Sequence, residues 1–176
     1  MTIQELGSLG ELIAAIATVA TLIYLASQLR QNSNQLKGDA IVAINNTEEA
    51  LVEDLRDDED LARAFINALN DWNSVTPQQQ TRVHLYLHAY TRWCETCWLL
   101  SQRGALDDTT YSPREVSMVT ILNPKGGREW WGTIKFVFDE RFSSRIDQQL
   151  ASATEKTPSV IRDIPFYRPE YWTMEK

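Results

Sequence analysis

The chain has 176 residues, 24 of them acidic and 17 basic, for a formal charge of −7 and a pI near 4.9. No Lys/Arg stripe appears anywhere, so the electrostatic footprint that binds phosphate backbones is missing and nucleic acid is not expected as a partner. Two cysteines three positions apart cannot build a disulfide framework, and such thiols suit a reducing compartment.

The first element is an apolar run. From Leu12 to Leu29 the chain reads LIAAIATVATLIYLASQL, without a charge. As a helix it covers about 27 Å of a hydrocarbon core about 30 Å thick, and Leu6 to Glu11 complete the span. The expectation is a transmembrane anchor over residues 1–30; the competing reading is a buried core helix. A cleaved signal peptide is disfavoured, because the opening MTIQE contains Glu5 and no basic residue. Arg30 and Lys37 follow the span, so the positive-inside bias places the N-terminus outside and the C-terminal domain in the cytoplasm.

Sorted at 100° per residue, the span has two faces. Leu9, Leu12, Ile13, Ile16, Val19 and Ile23 form a surface suited to lipid. Gly7, Gly10, Ala14, Ala17 and Thr21 lie opposite, flanked by Glu11 and Thr18, with Gln28 a turn further on. Helices associate in lipid by close backbone approach across small residues and by interhelical hydrogen bonds. A chain with one span finds such a helix only in another chain, so the expected partners are the bilayer and further copies, with an unrelated membrane protein as the other option. Glu11 has two readings: a structural carboxylate at headgroup level complementing the helix dipole, or a ring of carboxylates lining a cation path narrowed by Ala14, Thr18 and Thr21.

No turn signal interrupts the chain from Leu29 to Gly38, and Leu36, Ala40, Ile44, Thr47, Leu51 and Leu55 keep a helical spacing, which predicts a helical stalk over 31–58. Eight acidic residues crowd Glu48 to Asp60. They lack the glycine and ligand spacing of a calcium loop, and Asp60 is expected as the N-cap of the next helix.

Thr76-Pro77-Gln78-Gln79 predicts a helix start and Gly104 its stop after Arg103. Ser112-Pro113 predicts a second start, for a helix to Leu122; Asn123-Pro124-Lys125-Gly126-Gly127 reads as a break, before helices over Arg128 to Phe138 and Glu140 to Ser152. These elements make up a helical domain over 59–156. From Thr157 to 176, prolines among Phe166, Tyr167, Tyr171 and Trp172 predict an extended arm packing on its own domain or a neighbour.

His84, His88, Cys94 and Cys97 are the ligand types of a zinc site, but one helix turns the histidines and cysteines to different sides. Val83, Leu87, Tyr90, Cys94 and Cys97 form a continuous apolar stripe, where thiols act as small hydrophobes. A redox pair is disfavoured by its mid-helix position. No phosphate loop, HExxH or GxSxG is present, and Lys125-Gly126-Gly127-Arg128 reads as a connecting turn. No metal, cofactor or catalytic residue is expected.

The run from Gly10 through Glu11 and Thr21 to Asn32, together with Arg103-Gly104-Ala105-Leu106-Asp107, Gly126-Gly127-Arg128-Glu129-Trp130-Trp131 and Phe138-Asp139-Glu140-Arg141-Phe142, resembles a broad group of bacterial single-span membrane proteins. The resemblance implies a shared architecture and the bacterial inner membrane as location, and it supplies no activity. The expected fold is all-α: a transmembrane helix, a stalk, a cytosolic helical bundle and an extended tail. The expected role is a membrane-anchored homo-oligomeric structural or interaction protein without catalysis. The alternatives are an ion-conducting oligomer and, third, a metal-dependent enzyme.

Overall fold

The computed structural model describes residues 3–154 and 156–168, without the side chains at 5, 6, 8, 9 and 166. Of the residues singled out in the sequence, the Glu5, Leu6, Leu9 and Phe166 side chains and the whole of Tyr171 and Trp172 lie outside the described residues. Every described regular element is helical, in the order α1 (Ile3–Asp57), α2 (Glu59–Asn70), α3 (Pro77–Gln102), α4 (Asp108–Leu122), α5 (Lys125–Ile134), α6 (Glu140–Ala151) and α7 (Val160–Asp163). The all-α class follows directly.

The chain divides into two units, residues 1–41 and 42–176, with the boundary inside α1. Residues 42–57 belong to the second unit because Ile44 and Leu51 are buried there, and because the Trp93 indole Nε1–H donates to the Ile44 carbonyl at 3.1 Å. The second unit centres on α2. Its Ala62, Phe65, Ile66, Ala68 and Leu69 are buried among α3, α5 and neighbouring elements. Val83, Leu87, Cys94 and Cys97 of α3, Met118 and Leu122 of α4, Trp130 and Trp131 of α5, and Phe142 and Ile146 of α6 complete the core.

Helix starts follow local cap chemistry more closely than the nearest proline. At α3 the capping box forms: Gln79 N–H donates to the Thr76 hydroxyl, and the Thr76 N–H to the Gln79 side-chain oxygen at 3.0 Å. The α3 stop is also as expected, with Gly104 at φ 66° in the left-handed region glycine favours. At α2 the cap is Asp58, not Asp60. Asp58 is extended and accepts from the Leu61 N–H at 2.9 Å, which leaves Glu59 and Asp60 in a first turn that welcomes negative charge. At α4 the cap is Asp107, accepting from the Thr110 N–H at 2.7 Å, so the helix begins five residues ahead of Pro113. Pro113 therefore lies inside the helix, past its first turn, where it cannot donate a backbone hydrogen bond to the Thr109 carbonyl.

The break expected at Gly126-Gly127 is instead the first turn of α5, which begins at Lys125. Both glycines are buried, and a Cβ on Gly126 would stand 1.8 Å from the Ala68 carbonyl oxygen. Gly126 therefore lets α5 approach the backbone of α2, and Gly127, where a Cβ would stand 2.8 Å from the Ile121 carbonyl oxygen, lets it approach that of α4. Helix α5 ends at Ile134, followed by a 3₁₀ turn over Lys135–Val137. The region after Thr157 also has more regular structure than an extended arm. It forms α7 and a 3₁₀ turn at Pro165–Tyr167, with Val160 buried and the Asn123 side-chain amide donating to the Pro158 carbonyl at 3.1 Å.

Three N-cap carboxylates share one electrostatic consequence. Asp58 is held below the usual carboxylate range by the Leu61 N–H and then Arg82. Asp107 is held low by hydrogen bonds from Thr110 and Thr109, and Asp139 by Arg141 and the Phe142 N–H. A carboxylate with a lowered folded-state pKa contributes stability that is present above its unfolded value, near 3.9, and lost as pH falls through the folded value. The expected result is a helical domain with flat stability from pH 7 to about 5 and a progressive loss below about 4. Circular dichroism melting at stepped pH checks this; a loss centred near pH 6 would contradict the cap assignment.

Candidate functional site

In the first unit, the stretch from Gly10 onward is long and apolar enough to cross a membrane, and none of its apolar window is buried. Leu12, Ile13, Ile16, Val19, Leu22 and Ile23 each expose more than half of their surface. The small-residue side is accessible as well: a Cβ at Gly7 or Gly10 would meet nothing within 4 Å, and Ala14, Ala17, Thr18 and Thr21 are exposed. Within the helix, the Thr18 hydroxyl donates to the Ala14 carbonyl at 2.9 Å and the Thr21 hydroxyl to the Ala17 carbonyl at 2.8 Å. Both donors are satisfied by their own backbone, so the face is sterically small and only weakly polar. Glu11 is exposed beside it.

The second unit holds a cavity of about 430 Å³. Leu51, Val52 and Leu55 of α1 and Phe65 and Ile66 of α2 form its apolar walls. Tyr86 and Tyr90 of α3, Ser117 of α4 and Tyr167 supply phenol and hydroxyl groups, and Glu48 and Arg56 are its charged lining residues. Phe65 and Tyr86 meet edge to face at 5.3 Å, and the Tyr90 hydroxyl hydrogen-bonds the Ser117 hydroxyl at 3.0 Å. By sequence, Tyr90 falls on the core stripe and Tyr86 goes unremarked. The signal that could have found the pair is their spacing of four, which puts two phenols on one side of α3.

The cysteines are buried, as the apolar stripe predicts. Burial pushes both thiols up, Cys97 to about 11, so they are protonated at neutral pH. The histidines face other groups: Trp130 Nε1–H donates to His84 Nδ1 at 3.1 Å, and His88 packs on Phe138 at 5.6 Å between ring centres. Burial, and then Arg92, lowers the His88 imidazole below its ordinary range. Among the described residues, no group of three or more His, Cys, Asp or Glu side chains is arranged to hold a metal ion.

Two carboxylates sit in the core without sequence warning, and each is occupied. Glu95 accepts from the Asp139 N–H and pairs with Arg92, whose guanidinium also lies over the Phe138 ring at 4.6 Å. Glu115 forms a two-pronged pair with Arg145, the Nη2 arm at 2.8 Å. Such pairs organise α3, α4 and α6 about the α5–α6 connection, and removing one partner would leave an uncompensated buried charge. No family model, curated protein or solved structure matches the chain, and the site is defined by its own residues.

Proposed function

We propose that the protein is a membrane-anchored, homo-oligomeric interaction protein. In this reading residues 6–29 of α1 cross a bacterial inner membrane, with the N-terminus outside and residues 42–176 in the cytoplasm. The span carries no reaction; it places and gathers the helical domains.

The observation that carries the reading is the apolar surface of α1 between Leu12 and Leu29, none of which is covered within the chain. Leaving a Leu or Ile side chain in water forfeits about 1.5 to 3 kcal/mol, and a row of such residues makes a water-exposed state untenable. Lipid covers the large side chains. The narrow sector holding Gly10, Ala14, Ala17 and Thr21 offers lipid little contact area and offers a second helix close backbone approach. Arg30 and Lys37, just past the span, support the orientation.

The test is the native mass of the full-length protein in detergent, for wild type and for Gly10→Leu/Ala14→Leu. A defined oligomer that dissociates in the double variant supports the small face as the assembly surface. A monomeric wild type, or an oligomer indifferent to the substitutions, overturns it.

A further inference from the structure

We propose that the cavity of the helical domain is a binding site for a small amphipathic cation, an amine or quaternary ammonium carrying an aromatic or branched aliphatic body. The volume of about 430 Å³ lies inside the roughly 300 to 1,000 Å³ range of small-molecule sites, and the mix of apolar walls with a few convergent polar groups is what such sites share.

The sign of the ligand's charge follows from two independent features. The first is the aromatic content: Tyr86, Tyr90, Tyr167 and Phe65 all line the space. Their negative π-faces attract ammonium groups, most strongly where water is partly excluded. The second is the charge of the wall supplied by α1. Glu48 and Arg56 are the charged residues among the cavity lining, and the α1 segment that supplies this wall, residues 48–57, carries Glu48, Glu49, Glu53, Asp54 and Asp57 against Arg56 alone. Arg56 is already held by Glu53 at 3.2 Å and Asp57 at 3.0 Å, and Arg114 by Glu48 at 3.0 Å. Arg56 is thus paired on its own helix, and Arg114, which keeps a buried Nε without a hydrogen-bond partner, is not among the residues that line the space; the wall supplied by α1 carries an excess of carboxylates. Asp54 is close enough to act on the Tyr86 phenol, which burial, then Tyr167 and this carboxylate push above its ordinary range. An anionic or zwitterionic guest meets carboxylates and π-faces together, whereas a cation is favoured by both.

The experiment is calorimetric titration of the full-length protein in a nonionic detergent with benzyltriethylammonium, and in parallel with 4-tert-butylbenzoate, an anion of comparable bulk. The expected result is saturable one-to-one binding of the cation with a Kd below about 1 mM, and at least tenfold weaker binding of the anion. Val52→Trp fills the space from a wall position that is 52% exposed and should weaken cation binding at least tenfold. Tyr86→Leu should weaken it several-fold, while Tyr86→Phe, which keeps the π-face, should not. Melting curves confirm that each variant is folded, and Tyr167→Leu replaces any that is not. No saturation in wild type, equal affinity for the anion, or folded Val52→Trp binding as wild type would each overturn the assignment.

Discussion

Gly126→Ala is expected to destabilise the helical domain by about 3 kcal/mol or more, at the upper end of what overpacking costs. The added methyl would stand 1.8 Å from the Ala68 carbonyl oxygen, and 2.9 Å from both the Leu69 carbonyl oxygen and the Trp72 nitrogen. All three are backbone atoms, so no rotamer change relieves the overlap; α5 must move away from α2. Opposing this is the helix propensity gained on replacing glycine, about 1 kcal/mol. The clash outweighs that gain, and the midpoint of thermal unfolding should fall by roughly 10 °C. Gly132→Ala provides the internal control. It lies on the same helix, and a Cβ there would meet nothing within 4 Å, so only the gain in helix propensity acts and stability should rise by up to about 1 kcal/mol. Chemical denaturation of both variants, followed by circular dichroism, checks the pair. Equal effects would mean that α5 does not approach α2 at Gly126.

The second large effect belongs to Trp130, which is 1% exposed. Trp130→Ala is expected to cost about 3 to 5 kcal/mol, the range for removing a buried indole and leaving a cavity. Trp130→Phe removes the hydrogen bond to His84 Nδ1 and part of the ring, for about 1 to 2 kcal/mol. The distinction matters because Trp130 also packs against Trp131 at 6.5 Å and His84 at 6.2 Å between ring centres. If ring packing dominates, the two substitutions separate clearly in denaturation midpoint. Should they cost the same, the hydrogen bond to His84 would be the principal contribution.

These two residues also explain a segment that is conspicuous in the sequence without being interpretable there. Taken alone, Gly126-Gly127-Arg128-Glu129-Trp130-Trp131 reads as a flexible break before a helix. It is instead one continuous helix that is narrow at its start and bulky one turn later, so that it approaches the α2 backbone and then fills the core with indoles. The cavity is likewise a product of packing. It draws on α1, α2, α3, α4 and the Pro165–Tyr167 turn, and residues as far apart as Glu48 and Tyr167 meet there.

What could be read from the chain alone was whatever is governed by neighbours within a turn or two. The eighteen uncharged residues from Leu12 to Leu29, the Thr76/Gln79 capping box, the Gly104 stop and the apolar stripe through Val83, Leu87, Cys94 and Cys97 all rest on contacts three or four residues apart, and all stand in the fold. Helix starts were less legible where two local signals competed. Asp107 prevailed over Ser112-Pro113, and Asp58 over Asp60, through single cap hydrogen bonds whose formation depends on the extended backbone at each position. Nothing local announces that Trp93 reaches the Ile44 carbonyl, that Glu115 is held by Arg145, or that Gly126 lies on Ala68. Each joins residues far apart in the chain, and such pairs are set by how helices pack after they form, when shape and unsatisfied polar groups select one arrangement from many.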